Sequence, residues 1–531
     1  MKGLIFILMT VLLIGSSSCE KFLYKEDPTA TTFDEFYNTE EDLRRVIYSS
    51  FLDFYTTVTK RQLIFYMKEG RSDNAYARVA GDYHQIIANG SMNSNSPLTA
   101  YYWTQNYQHI GRENEFIANA DVPYVEDEAV RTKYVNILKG LRIWHYFMLT
   151  FEYGDIPFVL HQVNLEEAKR PATPREEIVD TLLELGQKVA NNLPPDEYAT
   201  DAYMFNKYSF LALMMRYALY FDRYELAAKL AKEIIDSHKY ELYPNYGDLF
   251  NYNGDNSNNE FIIKMDMASH GNSGTNSFRD LGPHFRTGPG QSYCVPTKAL
   301  VDAYWTLQGL PIDEDPSHTK EEYELTPSLN RDPRYAASIM GQGDIFYGEP
   351  IDIYDEASPM YYLAERASRT GYWFKKFVDP SDAFKGSGNM VFPLLRYAEV
   401  LLTYAEAKIM LNDVDDLAKD CINKIRDRAG LDMTVADVTL KARSQDEWIE
   451  LIRNERRIEL AGEGLRYADI IRWRIADKVL NQPALGNTRK INGTLQSLKV
   501  EDRSFSENQY LWPINEAMLK INPNLKQNPG Y

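Results

Sequence analysis

The chain has 531 residues, with 58 lysines and arginines against 76 aspartates and glutamates and a formal charge of -18. With 44% hydrophobic and 25% charged residues it has the composition of a folded chain with room for roughly two to four domains or one large helical body, which excludes low-complexity, collagen-like and multi-span membrane classes. The acidic balance, with no basic block anywhere, excludes a nucleic-acid partner and favours neutral or weakly charged ligands over polyanions. Tyrosine is in excess at 38 residues, which composition alone assigns to a core, an interface or a ring-stacking site.

Lys2 precedes an apolar run from Leu4 to Ile14 and then Gly15-Ser16-Ser17-Ser18-Cys19, the layout of an export signal with a small-residue cleavage site. The run is too short to span a bilayer, which needs about 20 residues. Residues 1–18 are therefore expected to be removed. A cysteine directly after the small residues is similar to a lipobox and makes Cys19 the expected lipidation site. Ser16 stands where an aliphatic residue is usual, so a plain secretory signal with an incidental cysteine is the alternative. Removing residues 1–18, whose only charge is Lys2, takes the formal charge from -18 to -19. The other cysteines, Cys294 and Cys421, fit neither a disulfide framework nor a zinc site.

Residues 19–38 read as a tether, and residues 39–245 as a first helical region. Helices are expected near Thr39–Phe54 and over Glu128–Phe151, Arg175–Leu193, Asn206–Phe221 and Glu225–Ser237. Lys68–Leu98 is irregular. Residues 246–392 form a loop-rich insertion, because positions 245–294 alone hold seven glycines and eight asparagines. Loops of that size are usually functional. Helical periodicity returns in residues 393–531, over Leu394–Leu411, Asp415–Arg428 and Gln445–Ala461, and no β-alternating series of comparable length stands out. The pairs 206–221 with 225–237 and 394–411 with 415–428 make helical hairpins. Alanines inside their apolar faces, such as Ala218, Ala231, Ala405 and Ala418, permit the close axial approach by which tetratricopeptide-type hairpins stack. The fold class is thus mainly α: helical hairpins interrupted by long insertions, with residues 39–531 expected to be one unit.

Catalytic constellations are missing. The eight histidines are scattered, with no H-E-x-x-H spacing, and there is no nucleophile elbow or Walker loop. No cofactor, metal or catalytic residue is expected. In the segment 445–473, Glu455, Arg456, Glu459 and Arg466 read as a structural ion-pair network locking helix to helix.

The segments FPLLRYAEVLLTYAEAK (Phe392–Lys408), IRNERRIELAGEGLRYADIIRW (Ile452–Trp473) and LWPINEAMLKINPNLKQNPGY (Leu511–Tyr531) closely resemble the SusD/RagB family. CEKFL at Cys19, RSDNAY at Arg71, NRDPRY at Asn330 and TGYWFKKF at Thr370 extend the resemblance over the mature chain. It implies about four tetratricopeptide-like hairpins and a ligand site in the irregular portion. It also implies a lipid-anchored location on the outside of the outer membrane of Bacteroidetes, capture of oligosaccharides or peptides, and a SusC-like TonB-dependent transporter as partner, without catalysis. A surface glycoside hydrolase and a pure tetratricopeptide scaffold are the rival classes.

A sugar ring stacks its C–H face on Tyr or Trp and presents hydroxyls to Asn, Asp, Gln or Arg. Loop-borne residues of those kinds are the expected ligand contacts: Asp73, Tyr76, Arg78 and Tyr83 after Arg71; Tyr101, Tyr102 and Trp103 after the Gly/Asn/Ser stretch; and His284, Phe285, Arg286, Tyr293 and Tyr347 in the insertion. Tyr101–Trp103 equally suit the start of a helix, with Trp103 in its core face.

Overall fold

A computed structural model describes residues 39–59, 65–78, 83–120, 127–197, 203–254, 258–265, 276–285, 288, 290–386 and 388–531. The export signal, the tether with Cys19, and Arg286 lie outside the described residues.

Apolar periodicity and capping residues set the helical part. In chain order the long helices are α1 (Glu40–Thr59), α2 (Pro97–Ala118), α3 (Glu128–Tyr153), α4 (Arg175–Asn191), α5 (Lys207–Tyr220), α6 (Tyr224–Asp236), α7 (Tyr397–Met410), α8 (Asp416–Ala429), α9 (Gln445–Glu459) and the shorter α10 (Arg466–Arg472). Asp127 caps α3 by accepting from the Ala129 N–H at 2.8 Å, and Ser444 with Glu447 forms a capping box on α9. Three helices are apolar almost all round: the second half of α3, α5 from Ser209 onward, and α7 as far as Ala407 are buried on every face. Such helices have to be surrounded by others. α3 is flanked by α1, α2 and α4, α5 by α4 and α6, and α7 by α6, α8 and α9. Ala212, Ala218, Ala227, Ala231, Ala405 and Ala418 have no exposed surface, which is the close axial approach expected of stacked hairpins.

The expected hairpins 206–221 with 225–237 and 394–411 with 415–428 are present as α5–α6 and α7–α8. One boundary differs. Leu394–Arg396 belong to a strand because Phe392–Arg396 pairs antiparallel with Phe261–Met265, so α7 starts at Tyr397. Strands are short and come in twos: β1 (Ala75–Ala77) with β3 (Cys294–Pro296), β2 (Phe261–Met265) with β6 (Phe392–Arg396), β4 (Ile339–Gly341) with β5 (Tyr372–Phe374), and β7 (Ala484–Ile491) with β8 (Thr494–Glu501). The β7–β8 hairpin lies in residues 393–531 beyond the helices expected there, where no strand was expected. It turns at Asn492-Gly493, both at positive φ (50° and 80°), the conformation that Asn-Gly supplies most readily.

One hydrophobic cluster runs from Leu43 to Leu525 and takes side chains from helices and irregular segments alike. Charge is buried within it. Glu459 at the end of α9 accepts from Arg334 at 2.9 Å, from Arg396 at 2.7 Å and from Arg428, while Arg396 also meets Glu260 at 2.7 Å and Glu463 at 2.8 Å. Glu455 sits between Arg334 (2.7 Å) and Arg426 (2.8 Å), and Arg456 meets Asp469 at 3.2 Å. These cations hold the Glu459, Glu455 and Asp469 carboxyls below the ordinary range despite burial. Gly464, in the following turn, has φ +72°, and a Cβ there would lie 2.0 Å from the Phe65 carbonyl oxygen, so only glycine fits. The chain end is pinned as well: Asn528 donates to the carbonyls of Tyr153 and Trp512, at 2.9 and 2.7 Å.

Candidate functional site

The irregular segments meet on one face, where an open cleft of about 750 Å³ is lined by Tyr76 of β1, Tyr362, Leu363 and Arg369 of the segment between β4 and β5, and Arg489, Gln496 and Lys499 of the β7–β8 hairpin. The volume falls within the range of small-ligand sites. Three backbone elements hold it. β1 pairs Tyr76 with Val295, the Asn487 N–H of β7 donates to the Thr370 carbonyl at 2.7 Å, and the Tyr362 N–H donates to the Ile353 carbonyl at 3.1 Å.

Aromatic and polar groups alternate along this face. The Tyr361 and Tyr362 rings lie 5.0 Å apart edge to face, with Tyr354 6.3 Å from Tyr362. The Arg489 guanidinium lies over the Tyr354 ring at 4.5 Å, and the Tyr354 hydroxyl donates to Asn487 Oδ1 at 2.7 Å. Arg369 donates from Nη1 to the Tyr362 carbonyl at 3.0 Å, bracing the segment that carries the tyrosines. Arg78 donates to the Gln291 and Glu365 carbonyls and faces the Tyr293 ring at 5.6 Å. Partial burial lowers the Arg78 pKa, with like charge from Arg369 acting the same way. Burial, then Glu501, raises the Tyr76 phenol above its usual value, so it stays a hydrogen-bond donor at neutral pH.

A second aromatic group forms around Phe285. Phe285 is buried, Tyr347 lies 4.8 Å from it, and Phe384, 68% exposed, completes the patch. His284 is half-buried, and burial followed by the Arg366 charge lowers its pKa.

The expected contact residues divide. Tyr76 lines the cleft, Arg78 and Tyr293 pair with each other next to β1, and Phe285 and Tyr347 meet in a separate aromatic patch beside His284. Asp73 does not line the cleft. It is buried against Arg466 (2.9 Å) and Arg457 (2.8 Å), which hold its carboxyl well below the usual range against the opposing effect of burial, and it joins the structural network. Tyr102 and Trp103 are also corrected. They lie in α2 facing the core, with the Tyr102 ring 5.2 Å from Trp512 and the Trp103 ring 5.0 Å from Tyr153. Tyr101, on the same helix, and Tyr83, which opens the short helix Tyr83–Ala88, are half-buried against the same core rather than on an open platform. Proline at the first helical position and the apolar positions of residues 97–118 were the signal for α2.

Tyr354, Tyr361, Tyr362, Arg369, Arg489 and Gln496 were absent from the expected contacts. Tyrosine crowding marks residues 354–362. For Arg489 and Gln496 the one available signal was the Asn492-Gly493 turn between two strand-like runs. Among the described residues no three His, Cys, Asp or Glu side chains converge as metal ligands.

A sequence profile of the SusD family matches residues 259–531. A SusD-like protein of Formosa agariphila is 27% identical, across 97% of this chain and 96% of that protein. Among solved structures, a SusD-like carbohydrate binding protein from Bacteroides fragilis is 26% identical with a TM-score of 0.82, covering 92% of this chain and 100% of that one. Surface glycan-binding protein A from Bacteroides thetaiotaomicron, in complex with laminarihexaose, has the same fold at 19% identity and a TM-score of 0.70, covering 92% and 100% of the two chains.

Proposed function

The chain belongs to the SusD family, and on that premise we propose that it is a cell-surface glycan-binding lipoprotein, anchored through Cys19 in the outer membrane. It captures oligosaccharides and passes them to a SusC-like TonB-dependent transporter, and it performs no catalysis itself. The observation that carries this reading is the cleft, which Tyr76 and Tyr362 line together with the planar donors of Arg369, Arg489 and Gln496. Stacked rings hold the C–H faces of a sugar, and guanidinium and amide groups satisfy its hydroxyl edge. The carbohydrate-binding relative from Bacteroides fragilis, covered over its full length, supports the same assignment.

The geometry also sets the strength of binding. Two or three stacking contacts at about 0.5–1.5 kcal/mol each at best offset an association cost of at least about 4 kcal/mol, so the net affinity comes from the hydrogen bonds to the hydroxyl edge and stays modest. A single oligosaccharide therefore binds in the micromolar to millimolar range, and a polymer gains by avidity.

Pull-down of the protein from intact membranes, with and without a glycan panel, tests both halves of the proposal. A co-purifying outer-membrane transporter and retained, undegraded glycan are expected. Depolymerisation of a glycan by the purified protein at enzymatic rates overturns the binding-only reading, and a protein partner without any glycan retention favours a scaffold.

A further inference from the structure

Acids outnumber bases by 76 to 58 in this chain, so a half-buried guanidinium has ample opportunity to meet a carboxylate. Several arginines of the helical core do so: Arg396 reaches three glutamates, Arg334 reaches Asp332, Glu455 and Glu459, and Arg472 reaches Glu406 at 2.7 Å and Asp469 at 2.7 Å, whereas Arg142 and Arg331 are satisfied by an amide oxygen and backbone carbonyls in enclosed positions. The cleft face is different. Arg369 has one backbone carbonyl and Arg489 a tyrosine ring, neither of which neutralises a charge, whereas Arg78, with two backbone carbonyls and a ring, also feels the Glu365 carboxylate.

Among the described residues no aspartate or glutamate lines the cleft. Its remaining cation, Lys499, is paired with Asp502 at 2.7 Å, and the nearby Glu501 is held by Arg503 at 3.1 Å and Gln85 at 2.8 Å. Guanidinium groups drawn partly out of water without a counter-charge lose hydration that backbone carbonyls only partly replace. A carboxylate or sulfate restores it through paired N–H···O bonds, for which the guanidinium fork is shaped.

We propose that the bound glycan is anionic, bearing uronate carboxylates or sulfate esters that Arg369 and Arg489 receive while a sugar face rests on Tyr362. The inference rests on the glycan-binding reading above and names its substrate class. The net charge of the chain does not oppose it, since at physiological salt charges are screened beyond about 8 Å and the local field of the cleft is set by its own arginines.

The test uses the full chain and polymers matched for backbone: polygalacturonate and its carboxyl-reduced form, a sulfated galactan and its desulfated form, and neutral laminarin, with polyglutamate as a non-glycan polyanion. Affinity electrophoresis and titration calorimetry are expected to give binding to at least one of the two acidic polymers, loss on carboxyl reduction or desulfation, and weakening as salt rises. The carboxylate and sulfate arms distinguish the two sources of charge. Arg369→Gln with Arg489→Gln is expected to weaken that binding by about tenfold or more, the effect of losing a charge-assisted hydrogen bond. Arg369→Lys with Arg489→Lys keeps the charge, and thermal unfolding of both double variants separates a binding defect from a folding one.

Equal binding of the acidic and neutralised polymers, a preference for laminarin, or unchanged affinity in the glutamine variant overturns the anionic assignment and leaves the glycan reading standing. Equal binding of polyglutamate overturns the sugar-specific part. Retention of no glycan of any kind overturns both.

Discussion

The helical core and the cleft face use the same side chains in opposite ways. Around α9 most arginines are matched by carboxylates from the chain itself, as Arg396 is by Glu260, Glu459 and Glu463, while Arg453 packs over the Trp473 ring. Around β5 and the β7–β8 hairpin, Arg369 and Arg489 are left with a carbonyl and a ring. A guanidinium whose counter-charge is built in serves cohesion, whereas one that lacks it and lines an open cleft is available to a ligand. The tyrosines divide in the same manner, with Tyr146, Tyr153 and Tyr304 fully buried in packing and Tyr361 and Tyr362 half-buried on an open face.

The contrast is broken most severely in the core. Glu459→Gln leaves Arg334, Arg396 and Arg428 without their shared carboxylate and is expected to cost about 3–5 kcal/mol, read as a lower denaturant midpoint; an unchanged midpoint would refute the cohesive role of the network. Trp103→Ala is expected to lose a similar amount, about 3–5 kcal/mol, by opening a cavity beside Tyr153. Its folded fraction should retain glycan normally, and weaker retention would return Trp103 to the binding surface.

A third test addresses the buried charges facing a cavity of about 120 Å³ among α3, α5 and α10. Glu152, raised to about 7 by burial and partly restrained by Arg71 and Lys68, favours the proton in the folded state. A raised carboxyl pKa stabilises the fold below the unfolded value of 4.5 and loses that contribution as pH rises towards 7. Lys68, lowered to about 7 chiefly by burial, acts in the opposite window: its contribution is present above 10.5 and lost as pH falls through 7. Glu152→Gln should therefore remove up to about 3 kcal/mol of the stability change between pH 4.5 and 7, at 1.36 kcal/mol per pH unit. Parallel stability profiles for the variant and the parent would exclude this assignment. The smallest effect belongs to the cleft: Tyr362→Ala should weaken glycan binding by about 0.5–1.5 kcal/mol with thermal stability unchanged, and a larger stability loss than binding loss would make Tyr362 a packing residue.

Much of the helical body was legible beforehand because its signals are local. The caps of α3 and α9 and the apolar rows of α4 to α9 act within a few residues of chain. The β7–β8 hairpin was missed because most of its residues are half or fully exposed, so it has no apolar alternation to reveal it and its one strong signal is a two-residue turn. Asp73 was misassigned for a different reason. Its neighbours in RSDNAY look like a ligand loop, yet its partners, Arg457 and Arg466, come from more than 380 positions away, and nothing local announces that they neutralise it.

The amino-acid sequence by itself determined the helical hairpins, the family resemblance and the export-signal pattern, since these rest on periodicity, motif and residue order. Which arginines are paired and which tyrosines face outward was decided only in the tertiary structure. Ion pairing and exposure depend on distances between segments hundreds of residues apart, and the folded core sets those distances. The surplus of acid describes the chain as a whole, while the cleft is governed by the few charges that the fold gathers around it.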